Sequence, residues 1–175
     1  RSRSPINGVI ITIKLADVLE PDARQRKKVT DAMRKALLDI EEKLAVRVPV
    51  YVLVTMCDLL VGFVDYFANL PGLSDRTLFG WSRSAPFDKE FDAAEFGPAF
   101  DDLSAKVDGM MLDFLERQAG RGGDLPADVT RTDRMLAFPD EFRSLGDPLQ
   151  ILLAEIFKKS AYNEQHFVRG VYFTS

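Results

Sequence analysis

The sequence predicts an α/β fold in which a small parallel sheet carries a helical subdomain inserted between its strands. Two observations predict this fold class. An apolar β-branched strand, an amphipathic helix and a second apolar strand follow one another within about 50 residues, which makes one βαβ unit with a right-handed crossover. A third strand-like run comes only at the far end of the chain. The helix-rich residues between the second and third strands therefore predict an insertion.

The first strand, helix and second strand each have a clear sequence signal. Residues 8–13 are mostly β-branched and follow turn-forming Pro5 and Asn7, which predicts a buried strand. Pro21 and Asp22 open a helix whose apolar face recurs every three or four residues. That face consists of Val29, Met33, Leu37, Ile40 and Leu44. Residues 50–54 are apolar at successive positions, a pattern typical of strands covered on both faces in parallel sheets.

The middle of the chain reads mostly as helix. Residues 59–70 predict a short helix, and residues 71–86 contain Pro, Gly and Ser and predict a connection. One helical face then consists of Phe100, Leu103, Val107, Met110, Met111 and Phe114, and residues 120–123 form a glycine-rich break. A further helix is expected to begin near Pro139, a good first-turn residue. We expect Pro148 to end or kink that helix, and residues 168–174 to form the last strand.

The predicted organisation has three segments: residues 1–85 as the βαβ half, residues 86–160 as the helical subdomain and residues 161–175 as the returning strand. Residues 86–128 hold eleven Asp or Glu and four Lys or Arg, so the negative charge is concentrated in the helical segment. A solvated face and an acidic docking surface both fit this asymmetry, and the pattern favours the solvated face. The chain begins without Met, and we expect it to be a segment of a longer protein.

Composition excludes several classes of protein. A net charge of -4 gives no electrostatic reason to bind nucleic acid. One cysteine excludes an internal disulfide, and one cysteine with one histidine cannot build a zinc site. The sequence contains no run of about 18 apolar residues, so it predicts no membrane span.

The strongest candidate site lies at the end of the second strand. In open α/β sheets, ligands bind outside the carboxyl ends of the strands, where this chain carries Thr55, Met56 and Asp58. GTPases place [N/T]-K-x-D there, and the aspartate accepts hydrogen bonds from the two donors of guanine. Met56 replaces the lysine and supplies an apolar stem without charge. Alternatively, Asp58 caps a helix starting at Leu59; local evidence favours the cap, and both roles are compatible.

The sequence favours structural roles for the other candidate residues. Cys57 lies inside an apolar run and reads as a small buried hydrophobe, and His166 reads as an ordinary surface or half-buried histidine. The stripe Phe87, Phe91, Phe96 and Phe100 reads as core. The phosphate-binding pattern GxxxxGK[ST] is absent from the 175 residues. We identify no catalytic residue and no metal ligand in the sequence.

Six blocks of the sequence resemble the TssM (IcmF-like) family of inner-membrane components of bacterial type VI secretion systems. Residues 5–12, PINGVIIT, resemble the family's P-L-N-G-V-I-V-T, and residues 49–60, PVYVLVTMCDLL, resemble P-V-Y-V-L-F-T-K-C-D-L-L. The remaining blocks are GF at 62–63 with Phe67, FGW at 79–81, FPDEF at 138–142 and RGVYFTS at 169–175. They keep their order from end to end, so the resemblance covers essentially the whole chain.

The resemblance implies a partial P-loop-NTPase-like (Ras-like) parallel sheet with helices on both faces. It also implies a cytoplasmic domain of a bacterial inner-membrane protein that assembles with TssL, the lipoprotein TssJ and baseplate proteins. By the same resemblance, Thr55 and Asp58 are base-recognition positions, and Thr174 and Ser175 begin the loop that covers the base. Met56 departs from the family's usual lysine.

The sequence is compatible with two functions. The leading hypothesis is a structural and interaction domain of the secretion-system membrane complex. The alternative is a GTPase or ATPase domain whose Walker A loop lies upstream, with GTP or ATP and magnesium as its ligands. Some family members carry that loop and others do not, so the sequence leaves enzymatic activity undecided.

Overall fold

The computed structural model describes residues 6–44, 48–70, 78–86, 89–120, 129–159 and 166–175. The strands are β1 (Val9–Lys14), β2 (Pro49–Thr55), β3 (Phe79–Ser82) and β4 (Phe167–Phe173). The helices are α1 (Leu15–Val18), α2 (Ala23–Leu44), α3 (Phe63–Asn69), α4 (Phe96–Gly120), α5 (Val129–Arg143) and α6 (Gly146–Ile156). Short 3-10 turns at Cys57–Leu59 and Ala93–Glu95 precede α3 and α4.

The four strands form one mixed sheet in the order β1-β2-β4-β3. β1, β2 and β4 run parallel, with Ile13 opposite Val54 and Val54 opposite Phe173. The carboxyl ends of these three strands therefore lie at one edge of the sheet. β3 pairs antiparallel with β4, so the prediction of an all-parallel sheet is wrong at this strand. β3 has only four residues, and they fall inside the predicted connection.

The βαβ unit is confirmed, but β1 is buried only at Ile13, so the prediction of a buried first strand is wrong. Asp22 accepts a hydrogen bond from the backbone N–H of Arg24 at 2.8 Å, and α2 begins at Ala23, next to the predicted start. On its apolar face Leu37 is buried, and Val29, Met33 and Ile40 are half-buried. The Leu44 side chain lies outside the described residues. The one-turn helix α1, directly after β1, was not predicted.

The proline residues do not mark the helix boundaries that the sequence predicts. α5 begins at Val129 and contains Pro139 in its interior, whereas α6 begins at Gly146 with Pro148 in its first turn. Phe138, Pro139 and Phe142 are all buried. The helix continues through Pro139 because tertiary packing of its apolar face outweighs local helix propensity. Pro148 starts a helix because the first-turn N–H groups need no intrahelical acceptor.

The hydrophobic core is one cluster that includes residues of the sheet and of the helices. At its centre, the Phe142 ring lies 5.0 Å from those of Phe100 and Phe173. Phe91, Phe96 and Phe100 are buried, which confirms that part of the predicted core stripe; Phe87 lies outside the described residues. The cluster crosses residue 85, and the three-segment division stays a prediction.

The sheet is packed more tightly on one face than on the other. Along β2, Val50, Val52 and Val54 are buried, whereas Tyr51 and Leu53 are only half-buried. The strand therefore alternates, and the equal burial expected from its apolar run is not found. Helices on both faces and a P-loop-NTPase-like sheet stay predictions. Among the described helices, none has the length and hydropathy to cross a membrane.

Candidate functional site

Hydrogen bonds join the loops that leave β2 and β4. Cys57 donates its backbone N–H to the Thr174 carbonyl oxygen at 3.0 Å, and Thr174 donates its N–H to the Val54 carbonyl oxygen at 2.9 Å. Because β2 and β4 are parallel neighbours, both loops leave from the same edge of the sheet. The structure thus brings the 55–58 and 174–175 segments together, and their role in binding a base stays a prediction.

Met56 turns the chain sharply at the end of β2. Its backbone lies in the left-handed region, with φ 62° and ψ 33°, and it is the one non-glycine residue of the described chain with a positive φ. This conformation costs about 1–3 kcal/mol in a residue with a side chain. The Met56 side chain remains 43% exposed at the edge of the sheet. Backbone strain and an exposed apolar stem therefore coincide at this position.

Asp58 does not cap a helix that begins at Leu59, so that prediction is wrong. Asp58 lies within the 3-10 turn, and α3 begins only at Phe63, after Gly62 in a left-handed conformation with φ 79°. The left-handed turn at Gly62 separates Asp58 from the helix, and the turn at Met56 lies before it. The Asp58 side chain is exposed, and no hydrogen bond or ion pair to it is found within the described residues. Its carboxylate oxygens face solvent as free acceptors.

The side chains of Thr55 and Cys57 attach the loop after β2 to the sheet. The Thr55 hydroxyl lies 3.4 Å from the Ile13 carbonyl oxygen of β1 and donates toward it. Cys57 is 1% exposed, which confirms that it is a small buried residue. Burial, the largest cause, raises the pKa of its thiol to about 11; the Thr174 backbone hydrogen bond acts to lower the pKa, and the Asp58 charge raises it. The thiol is therefore protonated and uninvolved in nucleophilic chemistry at neutral pH.

Comparison with known proteins identifies the family. The model of the IcmF-related N-terminal domain matches residues 1–175. The chain belongs to this family. It is also 29% identical, over 177 aligned residues, to the type VI secretion system component TssM1 of Pseudomonas aeruginosa. The match covers 100% of this chain and 15% of TssM1, so the chain spans about one seventh of that relative. No solved structure matches the chain.

In this IcmF-related domain, Gly62 connects the site to the helices. A Cβ atom at Gly62 would lie 2.7 Å from the carbonyl carbon of Arg134 and would collide with its oxygen. One turn further, the Asp65 carboxylate of α3 pairs with Arg134 at 2.8 Å and with Arg131 at 3.1 Å. The segment after Asp58 is therefore held against α5 by close backbone approach and by charge.

The IcmF-related domain also contains a buried arginine that sequence analysis missed. Arg83, directly after β3, is 4% exposed. Its guanidinium donates two hydrogen bonds to the Glu95 carboxylate, at 2.8 and 2.7 Å, and further ones to the carbonyl oxygens of Lys89 and Glu90. The bonds from Arg83 lower the pKa of the Glu95 carboxyl. No spacing rule in a polar stretch would have revealed this pair, which fixes the start of α4 to the sheet.

His166 has a structural role as well. Its Nδ1 lies 3.0 Å from a carboxylate oxygen of Glu41, and the ring packs edge-on against Phe157 at 5.9 Å. These contacts join the start of β4 to α2 and α6, far from the strand-end loops. Within the described ranges, no group of three His, Cys, Asp or Glu side chains could hold a metal ion. What the strand-end site offers a ligand is hydrogen-bond acceptors and an apolar stem.

Proposed function

We propose that this IcmF-related domain is an interaction domain of a type VI secretion system membrane-complex component. The observation that carries the proposal is the 29% identity to TssM1 along the whole chain, together with the family match over residues 1–175. Because the match extends over the whole chain, it favours a shared place in the same apparatus over a shared fold alone.

The chemistry of the site favours an interaction role. Thr55 and Cys57 direct their side chains to backbone carbonyl oxygens of the sheet, and Met56 carries no charge where the family resemblance implies a lysine. The polar groups that remain open, led by the Asp58 carboxylate, suit recognition rather than bond cleavage. We propose the cytoplasmic side of the bacterial inner membrane as the location, with TssL and baseplate proteins as direct partners. TssJ would be joined through other parts of the full-length protein.

Affinity purification tests this proposal. The tagged full-length protein is compared with the same protein lacking residues 1–175, both expressed at native level in cells with an assembled apparatus. We expect TssL or baseplate proteins to co-purify with the full-length protein and to be reduced by the deletion. Equal recovery from both proteins, with both correctly inserted, would remove the interaction role from this domain.

A nucleotide-binding domain is the second candidate, and the geometry of Met56 favours it. A strained left-handed residue at a strand end, with an exposed carboxylate two residues on, marks many binding sites. The bonded neighbouring loop would place Thr174 and Ser175 beside the bound base. GTP or ATP with magnesium would need a phosphate-binding loop from another part of the protein, because GxxxxGK[ST] is absent from the 175 residues.

Calorimetry with GDP and ADP on the full-length protein distinguishes the two candidates. If the second is correct, Asp58→Asn weakens GDP binding selectively, since one acceptor becomes a donor, and Met56→Lys strengthens it. Asp17→Asn, an acid at the neighbouring strand end, is the matched control and leaves GDP affinity unchanged. Identical GDP titrations for the wild type, Asp58→Asn and Met56→Lys would dismiss base recognition.

A further inference from the structure

An open groove of about 360 Å³ lies between the edge strand β3 and helix α4. Residues 80–82 of β3 form one side of it, and Asp102, Leu103 and Lys106 of α4 form the other. The groove is distinct from the strand-end site, which lies at the ends of β1, β2 and β4. A strand edge beside a helix is the arrangement in which proteins accept an additional strand from a partner.

The outer edge of β3 presents unpaired backbone groups to this groove. Arg83 donates its N–H to the Arg169 carbonyl oxygen at 2.8 Å, which fixes the phase of the antiparallel ladder. Because hydrogen bonding alternates along such a ladder, Gly80 and Ser82 direct their N–H and C=O groups away from β4. Among the described backbone groups, none pairs with that edge. Two residues can therefore each exchange hydrogen bonds with an added strand.

The helical side of the groove carries one acid and one base at a defined spacing. Ala99, Asp102, Leu103 and Lys106 follow the i, i+3, i+4, i+7 pattern and form one stripe of α4. Asp102 and Lys106 are exposed, and within the described residues neither has an ion pair. One helical turn separates them, about 6 Å along the axis. Alternate residues of an extended strand are about 6.6 Å apart and share a face, so the two spacings match.

We propose that this groove binds an extended segment of a partner protein, which adds to β3 as a further strand. The segment carries an acidic side chain that meets Lys106 and, two residues away, a basic side chain that meets Asp102. Backbone pairing with Gly80 and Ser82 supplies affinity, and the charge pair supplies register and specificity.

Charge also distinguishes this occupant from a second copy of the chain. β3 itself reads Phe-Gly-Trp-Ser and carries no charge. The opposite edge strand, β1, carries Lys14 and no acid. Neither edge of a second copy would complement Asp102 and Lys106, so a partner with a basic-x-acidic pattern fits better.

Two synthetic peptides test the proposal on the full-length protein. Their sequences, Thr-Val-Lys-Val-Glu-Val-Thr and Thr-Val-Glu-Val-Lys-Val-Thr, differ only in charge order, and a third peptide replaces both charges with Ser. In fluorescence polarisation, we expect one charge order to bind about five- to tenfold more tightly than the other two peptides, as two exposed ion pairs allow. N-methylation of alternate backbone nitrogens on the pairing side should abolish its binding.

A charge swap on α4 supplies the decisive variant. Asp102→Lys with Lys106→Asp should reverse the preference between the two charged peptides. The matched control, Asp113→Lys with Arg117→Asp, exchanges an exposed pair of equal spacing elsewhere on α4 and should leave the preference unchanged. Equal binding of all three peptides, an unreversed preference or absence of binding would overturn the proposal. So would a dimer in sedimentation that only the first swap dissociates, since it would assign the groove to a second copy.

Discussion

The backbone N–H of Cys57 donates a hydrogen bond to the carbonyl oxygen of Thr174, at 3.0 Å, although 117 positions separate the two residues along the chain. Together with the bond from Thr174 to Val54 at 2.9 Å, it makes the loops after β2 and β4 one structural unit. A ligand or protein that moves one loop must therefore move the other or break this bond. The candidate site is a property of the sheet edge and not of either loop alone.

The Cys57 thiol should be unreactive in the folded protein. With a pKa of about 11, caused mainly by burial, only about a thousandth of the thiol is ionised at pH 8, against about a quarter at the unperturbed pKa. We expect labelling by a thiol reagent at pH 8 to be at least about 100-fold slower in buffer than in urea, because burial adds to the low ionised fraction. Stoichiometric labelling of the folded chain within the same time as in urea would show that the two loops separate readily.

Gly62 should be intolerant of any side chain. Gly62→Ala places a Cβ against the Arg134 backbone at a positive φ, and we expect it to lower the free energy of unfolding by about 2–4 kcal/mol. Gly109→Ala is the matched control. Gly109 is an exposed residue in the middle of α4, and no atom lies within 4 Å of its Cβ position. Gly109→Ala should therefore raise the free energy of unfolding by about 0.5–1 kcal/mol. Equal effects of the two substitutions in urea denaturation would contradict the close approach of α3 and α5.

Replacing Met56 with a residue that accepts a left-handed backbone should stabilise the fold. Met56→Asn is expected to raise the free energy of unfolding by up to about 1 kcal/mol, and Met56→Val to lower it by about 1–2 kcal/mol, because β-branched residues tolerate positive φ poorly. The same pair of changes at exposed Leu59, inside the 3-10 turn, should not show this order. Thermal unfolding of the four variants measures the difference, and a more stable Met56→Val protein would refute a strained turn.

The Arg83 and Glu95 pair should make stability depend on pH. The pKa of Glu95 is lowered in the folded state, chiefly by its hydrogen bonds to Arg83. Such a carboxylate stabilises the fold above its unfolded pKa, near 4.5, and that stabilisation is lost as the pH falls through the lower folded value. Between about pH 6 and about pH 3, the wild type should lose more stability than Glu95→Gln. Parallel losses in both proteins would show that the pair does not titrate with folding.

Removal of Arg83 should cost far more than removal of an exposed arginine. Arg83→Met strands the Glu95 carboxylate and two carbonyl oxygens, and we expect a loss of about 3–5 kcal/mol. Arg143→Met is the control, since Arg143 pairs with Asp108 at 2.6 Å with half its side chain exposed. This change should cost no more than about 1 kcal/mol. Chemical denaturation measures the loss of stability in both variants. Similar losses would contradict the buried position of Arg83.

β1 and β2 were predictable from sequence because each is an apolar run rich in β-branched residues, and β4 was predictable because apolar residues flank Arg169 and Gly170 over seven positions. β3 was not, since its four residues include Gly80 and its partner β4 lies about 90 positions later in the chain. The boundary between α5 and α6 escaped prediction for a related reason. Burial of Phe138 and Phe142 overrides the local signal of Pro139, and such packing is invisible in a single sequence.

The candidate site was predictable in position but not in conformation. Strand-end position singled out Thr55 and Asp58, and the family resemblance added Thr174 and Ser175. Hydrogen bonds join the two loops, and the role of these residues in binding a base stays a prediction. The left-handed backbone of Met56 has no signature in its side chain, because methionine is not a residue that favours this region. The capping prediction for Asp58 was wrong because a second left-handed turn at Gly62 delays the start of α3.

In-cell photo-cross-linking from the full-length protein tests the central claim most directly. A photoreactive residue is placed at Leu59, Leu78 or Leu112, which are 60%, 77% and 60% exposed and lie at three separate places along the chain. If the domain is an interaction domain of the secretion-system membrane complex, at least one position should yield an adduct with TssL or a baseplate protein. Adducts from none of the three positions, in cells whose apparatus assembles and secretes, would contradict it.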